Sequence, residues 1–184
     1  HCGEPITTES LVAEMIDMHN LAEFPAPTYK TVQFSSHDHR STVPDGPDWF
    51  ANSDGFGGEP IPNFEAVLRE PDDKGIGEYL VCDVKGPGAV VRTWTAAING
   101  TIRMFLDDAD TPTYDGPADE FFRNPTGRYA ETAGVDAALF ANTFQQRDAC
   151  YLPIPFARRC RIVWTGNVAP ETEVKAFRSD DLKK

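Results

Sequence analysis

Apolar residues recur along this chain at two different spacings. Between Ile6 and His19 they fall three and four apart, and Leu11, Val12, Met15, Ile16 and His19 share one helical face. Thr7 or Thr8 can cap this predicted helix, and Glu9 suits its positive N-terminal end. Asn20 and Phe24-Pro25-Ala26-Pro27 end it, since proline lacks an N–H and restricts the residue before it. The stripe reads as a packing face laid across a sheet. Beyond it the period drops to two, and Thr31–Phe34 reads as a short strand. Glu78–Val84 sets Leu80, Cys82 and Val84 against Tyr79, Val81 and Asp83. Gly86-Pro87-Gly88 is a turn, and Ala89–Ile98 is the next strand, with Val90, Arg92, Trp94 and Ala96 on one side. Asn99-Gly100 is a hairpin signal, after which Thr101–Leu106 returns. These three strands are expected to pair in sequence.

The second half is less regular. Asp107–Thr132 is polar and rich in turn residues around Phe121-Phe122, and Ala137–Phe144 fits strand or helix equally. Tyr151–Phe156 holds two prolines, so it is at best an edge segment. Arg159–Trp164 alternates as a strand, Glu173–Phe177 is a weak one, and Arg178–Lys184 is a charged tail. Many short strands joined by long connections predict an antiparallel sandwich.

Composition narrows the partners. The chain has 184 residues, enough for one domain with a real core. Its net charge of −12 repels nucleic acid and anionic membrane surfaces, and is compatible with a neutral ligand. No apolar run approaches the roughly 18–20 residues of a membrane span. The chain starts at His1 without a leader-like segment, which reads as a processed form. Cys2, Cys82, Cys150 and Cys160 show no zinc-site spacing. Cys150 and Cys160 flank a predicted hairpin and could pair; the alternative is buried free thiols. No cofactor is expected.

The densest chemistry lies in Thr31–Asp54. Ser35, Ser36, His37, Asp38, His39 and Arg40 are followed, after a Pro/Gly-marked loop, by Trp49, Asn52 and Asp54. Four readings are open. Asp38 and Arg40 form an ion pair that braces the loop. Alternatively they bind a sugar, with Trp49 as stacking platform and Asn52 and Asp54 as hydrogen-bond partners, because sugar hydroxyls both donate and accept. A metal at His37, Asp38 and His39 is a third reading. A catalytic triad is the fourth, without an identifiable nucleophile. Arg92 and Trp94 are either an interior pair or a pocket wall. Gly86-Pro87-Gly88 lacks the lysine and the helix of a phosphate loop.

Several stretches occur in an order that resembles a known family. They are Leu21-Ala22-Glu23-Phe24-Pro25, Ser35-Ser36-His37-Asp38-His39-Arg40, and Trp49-Phe50-Ala51-Asn52-Ser53-Asp54. Gly86-Pro87-Gly88 with Val91-Arg92-Thr93-Trp94, Ile102–Asp107, and Tyr151-Leu152-Pro153-Ile154-Pro155-Phe156 follow. The order resembles the domain of unknown function 2961, associated with glycoside hydrolase family 172, from about Leu11 to about Asn167. The resemblance implies an all-β jelly roll, the first half of a double jelly roll. The expected division is an N-terminal helix and lead-in at 1–25, the jelly roll at 26–177, and the tail at 178–184. It further implies a retaining furanosidase, of fructofuranosidase or arabinofuranosidase type. The expected setting is secreted or periplasmic, in trimers or hexamers. Its catalytic glutamates belong to the following half, so none is assigned here. Ser36, Asp38, Arg40, Trp49, Asn52 and Asp54 carry over as pocket-lining residues. The family's Ser-Ser-Tyr-Asp-Arg run is here Ser-Ser-His-Asp-His-Arg, one residue longer before Arg40. The expected function is therefore a furanoside-binding first half that lacks the catalytic glutamates, its site completed by a second half or another chain. The alternative is a non-enzymatic jelly roll that assembles into oligomers.

Overall fold

Helix formation begins where a cap is available. The computed structural model covers residues 5–26, 28–50, 63–96 and 98–168. Its first helix, α1, is Thr8–Ile16. Ser10 N donates to Thr7 Oγ1 (3.1 Å) and Thr7 N to Ser10 Oγ (2.9 Å), a reciprocal cap with serine in the third position. The helix ends before the expected His19, because Asp17 leaves helical geometry and its carboxylate accepts from His19 N (2.9 Å). Thr8 Oγ1 donates to Pro153 O (3.1 Å) and ties down the first turn. The expected packing face is corrected: Leu11 and Val12 are half-buried, while Met15 and Ile16 are 47% and 70% exposed. Thr31–Phe34 is irregular, not a strand. Thr31, Val32 and Gln33 are exposed, so no buried face holds them in an extended ladder.

The strands are β1 (Ala66–Arg69), β2 (Ile76–Lys85), β3 (Gly88–Val90), β4 (Thr93–Trp94), β5 (Thr101–Leu106) and β6 (Tyr114–Pro117). Helices α2 (Ala118–Phe121) and α3 (Asn124–Ala133) follow, then a 3-10 turn at Ala137–Phe140. Strands β7 (Ala149–Cys150), β8 (Ile154–Phe156) and β9 (Arg159–Asn167) complete the described chain. Pairing is antiparallel in β1–β2, β3–β8, β4–β7 and β5–β6. With the N-terminal helix, this is the all-β, jelly-roll class expected. The contacts divide the chain into two units. One is His1–Val32 with Val84–Cys160, the other Gln33–Asp83 with Arg161–Lys184.

In the second unit β1, β2 and β9 are neighbours in that order. A tight turn at Asp72–Gly75 joins β1 to β2. Asp72 Oδ1 accepts from Lys74 N (2.9 Å) and Ile76 N (3.0 Å), and Gly75 takes φ +77°, where a side chain would be strained. Those two backbone bonds, from Ile76 and then Lys74, hold the Asp72 carboxyl below its usual range. The core between these strands is aromatic. Tyr79 is fully buried, with its ring centroid 5.4 Å from Trp164 and 5.0 Å from Phe64. Space for the Tyr79 ring comes from Gly77: a Cβ there would lie 2.2 Å from Tyr79 Oη.

In the first unit the expected meander is corrected. Ala89–Ile98 breaks at Val91-Arg92 into β3 and β4. Each half pairs with the later segment, Gly88 opposite Phe156 and Thr93 opposite Cys150. Phe156 closes over Gly88, where a Cβ would meet the ring at 2.8 Å. Tyr151–Phe156 thus supplies a pairing edge, as its prolines predict. Gly100 turns with φ +74°, and β5 then pairs with β6, not with the preceding strand. Helix α3 lies in the stretch expected to be irregular. Pro125 sits in its first turn, where its missing N–H costs nothing, and Gly134 ends it at φ +67°. Ile102, Met104, Phe121, Phe122 and Ala130 form the buried centre of this unit.

Asp107 fastens the end of β5. Its Oδ1 accepts from Ala157 N and Arg158 N, both at 2.7 Å, and its own N–H donates to Arg159 O (2.8 Å). The backbone bond from Arg158, the largest cause, holds this carboxyl below its usual range. Cys82, Cys150 and Cys160 are buried thiols outside any disulfide, so Cys150 and Cys160 do not pair. Burial also pushes the Cys150 thiol above its usual value.

Two measurements check this packing. Gly77→Ala should lower stability by about 1–3 kcal/mol through overpacking against Tyr79, read as a lower urea midpoint. Asp72 and Asp107 have folded values below the unfolded carboxylate value of about 3.9, so their contribution is complete above that pH. It should fall away as pH drops below about 4 through the folded values. Asp107→Asn should therefore flatten the acid limb of a melting-temperature profile and leave its shape near neutrality unchanged.

Candidate functional site

The polar stretch folds around one carboxylate. Asp38 is 4% exposed, and its Oδ1 accepts both Arg40 N (3.0 Å) and Arg40 Nε (3.0 Å). Its Oδ2 accepts Arg40 Nη2 at 2.5 Å. A carboxylate that takes the next-but-one N–H makes a local turn; taking the same residue's guanidinium as a fork adds orientation. The Arg40 side chain stays 60% exposed. The side-chain bond to Asp38, and after it the Asp38 charge, raise the Arg40 pKa, so the guanidinium is permanently protonated.

The loop after Arg40 is closed by its own hydrogen bonds. Ser41 N donates to Asp38 O (3.2 Å), and Ser41 Oγ donates to Trp49 O (2.5 Å). Gly46 N reaches Val43 O (3.0 Å) beside Asp45, which sits at φ +60°. Trp49 is 36% exposed and Phe50 88% exposed, so aromatic surface faces outward at the far end of the loop. Ser36 is half-buried, and Ser35 Oγ accepts from His37 N (3.2 Å).

The structure thus brings Asp38 and Arg40 into direct contact and ties the Trp49 backbone to Ser41. Asn52 and Asp54 lie outside the described residues. Ser41 and Asp48 were missed by the sequence reading. Ser41 closes the loop, and the Asp48 charge acts on Arg40. A hydroxyl directly after the Asp–Arg pair is the signal that could have flagged Ser41. The triad and metal readings fare differently from the ion pair. His37 and His39 share a side, as alternation predicts, with ring centroids 4.7 Å apart. Asp38 turns instead onto Arg40, and among the described residues no three His, Cys, Asp or Glu side chains converge.

Arg92 and Trp94 are not an interior pair, since both are exposed. Trp94 is 59% exposed and the Arg92 guanidinium lies 6.0 Å from its ring centroid. Tyr151, on the segment after β7, stands on it too, at 5.6 Å. No helix among the described residues is long and apolar enough to cross a membrane.

A family profile described as the GH172 first beta-sandwich domain matches residues 27–183. No curated protein and no solved structure matches the chain.

Removing the Asp38 acceptor should cost more than removing the Arg40 side chain. Asp38→Ala strands the Arg40 N–H and should lower stability by about 1–3 kcal/mol. Arg40→Ala keeps the backbone bond to Asp38, so its urea midpoint should lie between those of Asp38→Ala and the parent chain.

Proposed function

Because the chain belongs to glycoside hydrolase family 172, as its first β-sandwich domain, we propose that it is the sugar-binding half of a furanoside-cleaving enzyme. A second β-sandwich, on the same or another chain, supplies the catalytic carboxylates. Ser36, Asp38, Arg40 and Trp49 bind the furanose here, together with Asn52 and Asp54. The assembly is oligomeric and works outside the cytoplasm.

The observation that carries this reading is the buried Asp38 holding an exposed Arg40. The pair is neutral overall, and the fork presents fixed N–H donors without a net charge. That suits hydroxyls of an uncharged sugar, which need donors and acceptors in set positions. Trp49 adds a partly exposed ring at the end of the same loop, on which the apolar face of a sugar can rest.

One feature supports a second reading, in which the stretch is only a brace in an assembling module. Asp38 gives one of its bonds to the Arg40 backbone, a bond needed for the turn whether or not a ligand binds.

Titration with aryl α- and β-furanosides separates the two. The chain should bind one anomer without releasing the aryl group, and Arg40→Gln should weaken binding about tenfold. Turnover by the chain alone would refute the assignment of the catalytic carboxylates to a second half. Absence of any furanoside binding, with oligomerisation lost in Trp49→Ala, would establish the brace.

A further inference from the structure

Arg92 differs from the arginines of this protein that face carboxylates. Arg40 is paired with Asp38, Arg123 lies 3.7 Å from Asp119, and Arg158 and Arg159 lie 3.7 and 3.8 Å from Asp108. Arg92 is held by rings. Its guanidinium carbon is 6.0 Å from the Trp94 centroid and 5.6 Å from the Tyr151 centroid. Among the described residues no carboxylate pairs with it. Arg69 and Arg128 likewise lie in none of these ion pairs, but each donates to a backbone carbonyl, Ile76 O and Thr113 O, whereas Arg92 lies against two rings.

Ring contacts attract a cation without neutralising it, so a guanidinium held this way keeps its charge for an anionic partner. Its N–H edge is a fork matched to a carboxylate. Trp94 is 59% exposed, so much of its indole remains open to a ligand alongside the cation. Both rings are set by the backbone. Trp94 is the last residue of β4, opposite Ala149, and Tyr151 directly follows β7. Tyr151 N is further fixed by donating to Phe144 O (2.7 Å). The whole cluster belongs to the first unit, while Asp38 and Arg40 belong to the second.

We propose that Arg92, Trp94 and Tyr151 form a separate binding site for a sugar carrying a carboxylate. The Arg92 fork takes the carboxylate and the Trp94 ring takes the apolar face of the sugar. The ligand class rests on the carbohydrate reading above, and the site itself rests on the Arg92 geometry. The net charge of −12 opposes a polyanion at long range, but one carboxylate on one guanidinium is a contact interaction.

Calorimetric titration of the full chain tests this with three probes: methyl glucuronide, methyl glucoside and acetate. Methyl glucuronide should bind at least about tenfold more tightly than either of the others, the worth of one charged bidentate contact. Arg92→Gln should abolish that preference, and Trp94→Ala should reduce glucuronide binding to the acetate level. Arg92→Lys, which keeps the charge without the fork, should lose about tenfold and serves if the glutamine variant does not fold. Asp38→Ala should leave glucuronide binding unchanged, so failure of the furanoside site and failure of this one read separately. No glucuronide binding, equal affinity for acetate, or full affinity in Arg92→Gln would each overturn the proposal.

Discussion

Aspartate side chains that accept backbone N–H groups are the constraint on which the connections of this structure depend. A β protein with long loops has many amide groups outside its ladders, and each needs an acceptor. Here the same device recurs. Asp17 accepts from His19, Asp38 from Arg40, Asp72 from Lys74 and Asp136 from Ala138, each two residues on, at 2.9–3.0 Å. Asp107 does the same across the fold, for Ala157 and Arg158. The device explains part of the acidic composition. A net charge of −12 looks from sequence like a statement about partners, but several of these carboxylates serve the backbone. It also defines what is distinctive about Asp38. The backbone bond is shared with structural turns; deep burial and the forked contact with an exposed guanidinium set Asp38 apart from them.

The fold class was legible because alternation and turn residues are local signals. Glu78–Val84, Thr101–Leu106 and Arg159–Trp164 all lie in strands, since each carries its own period of two. Strand partners were not legible. Nothing local in Ala89–Ile98 says that it will break at Arg92 and pair with residues 149–156, because that choice depends on Phe156 closing over Gly88. Helix α3 was hidden for another reason. Pro125 and Gly127 read as turn residues, yet proline is tolerated in a first turn, and its buried face is only Thr126 and Ala130. Thr126 is satisfied by donating to Arg123 O, with Gln145 as a second partner, a long-range contact invisible to periodicity. The helix α1 illustrates the opposite error. Its period was correct, but a periodic stripe reports a capacity to pack, and Met15 and Ile16 remain exposed.

The site was legible to a similar depth. Asp38 and Arg40 are two residues apart, so their contact is nearly dictated by sequence, and the structure adds burial and the fork. The placing of Trp49 depends on loop closure, which Ser41 provides by donating to Trp49 O; the hydroxyl is visible in the sequence, its backbone partner eight residues on is not. Arg92 and Trp94 could be placed together from strand alternation. Tyr151 could not, since it arrives through the unpredicted β4–β7 pairing.

The two arginines show how surroundings alone set what a guanidinium can recognise. Arg40 is neutralised by a carboxylate that uses two of its N–H groups, so what remains is directional and nearly uncharged. A polar neutral ligand gains from such a group, because its hydroxyls need geometry more than charge. Arg92 has no paired carboxylate among the described residues, and aromatic rings attract a cation without neutralising it. The same side chain, held by an acid in one unit and by aromatic rings in the other, thereby offers two different chemistries.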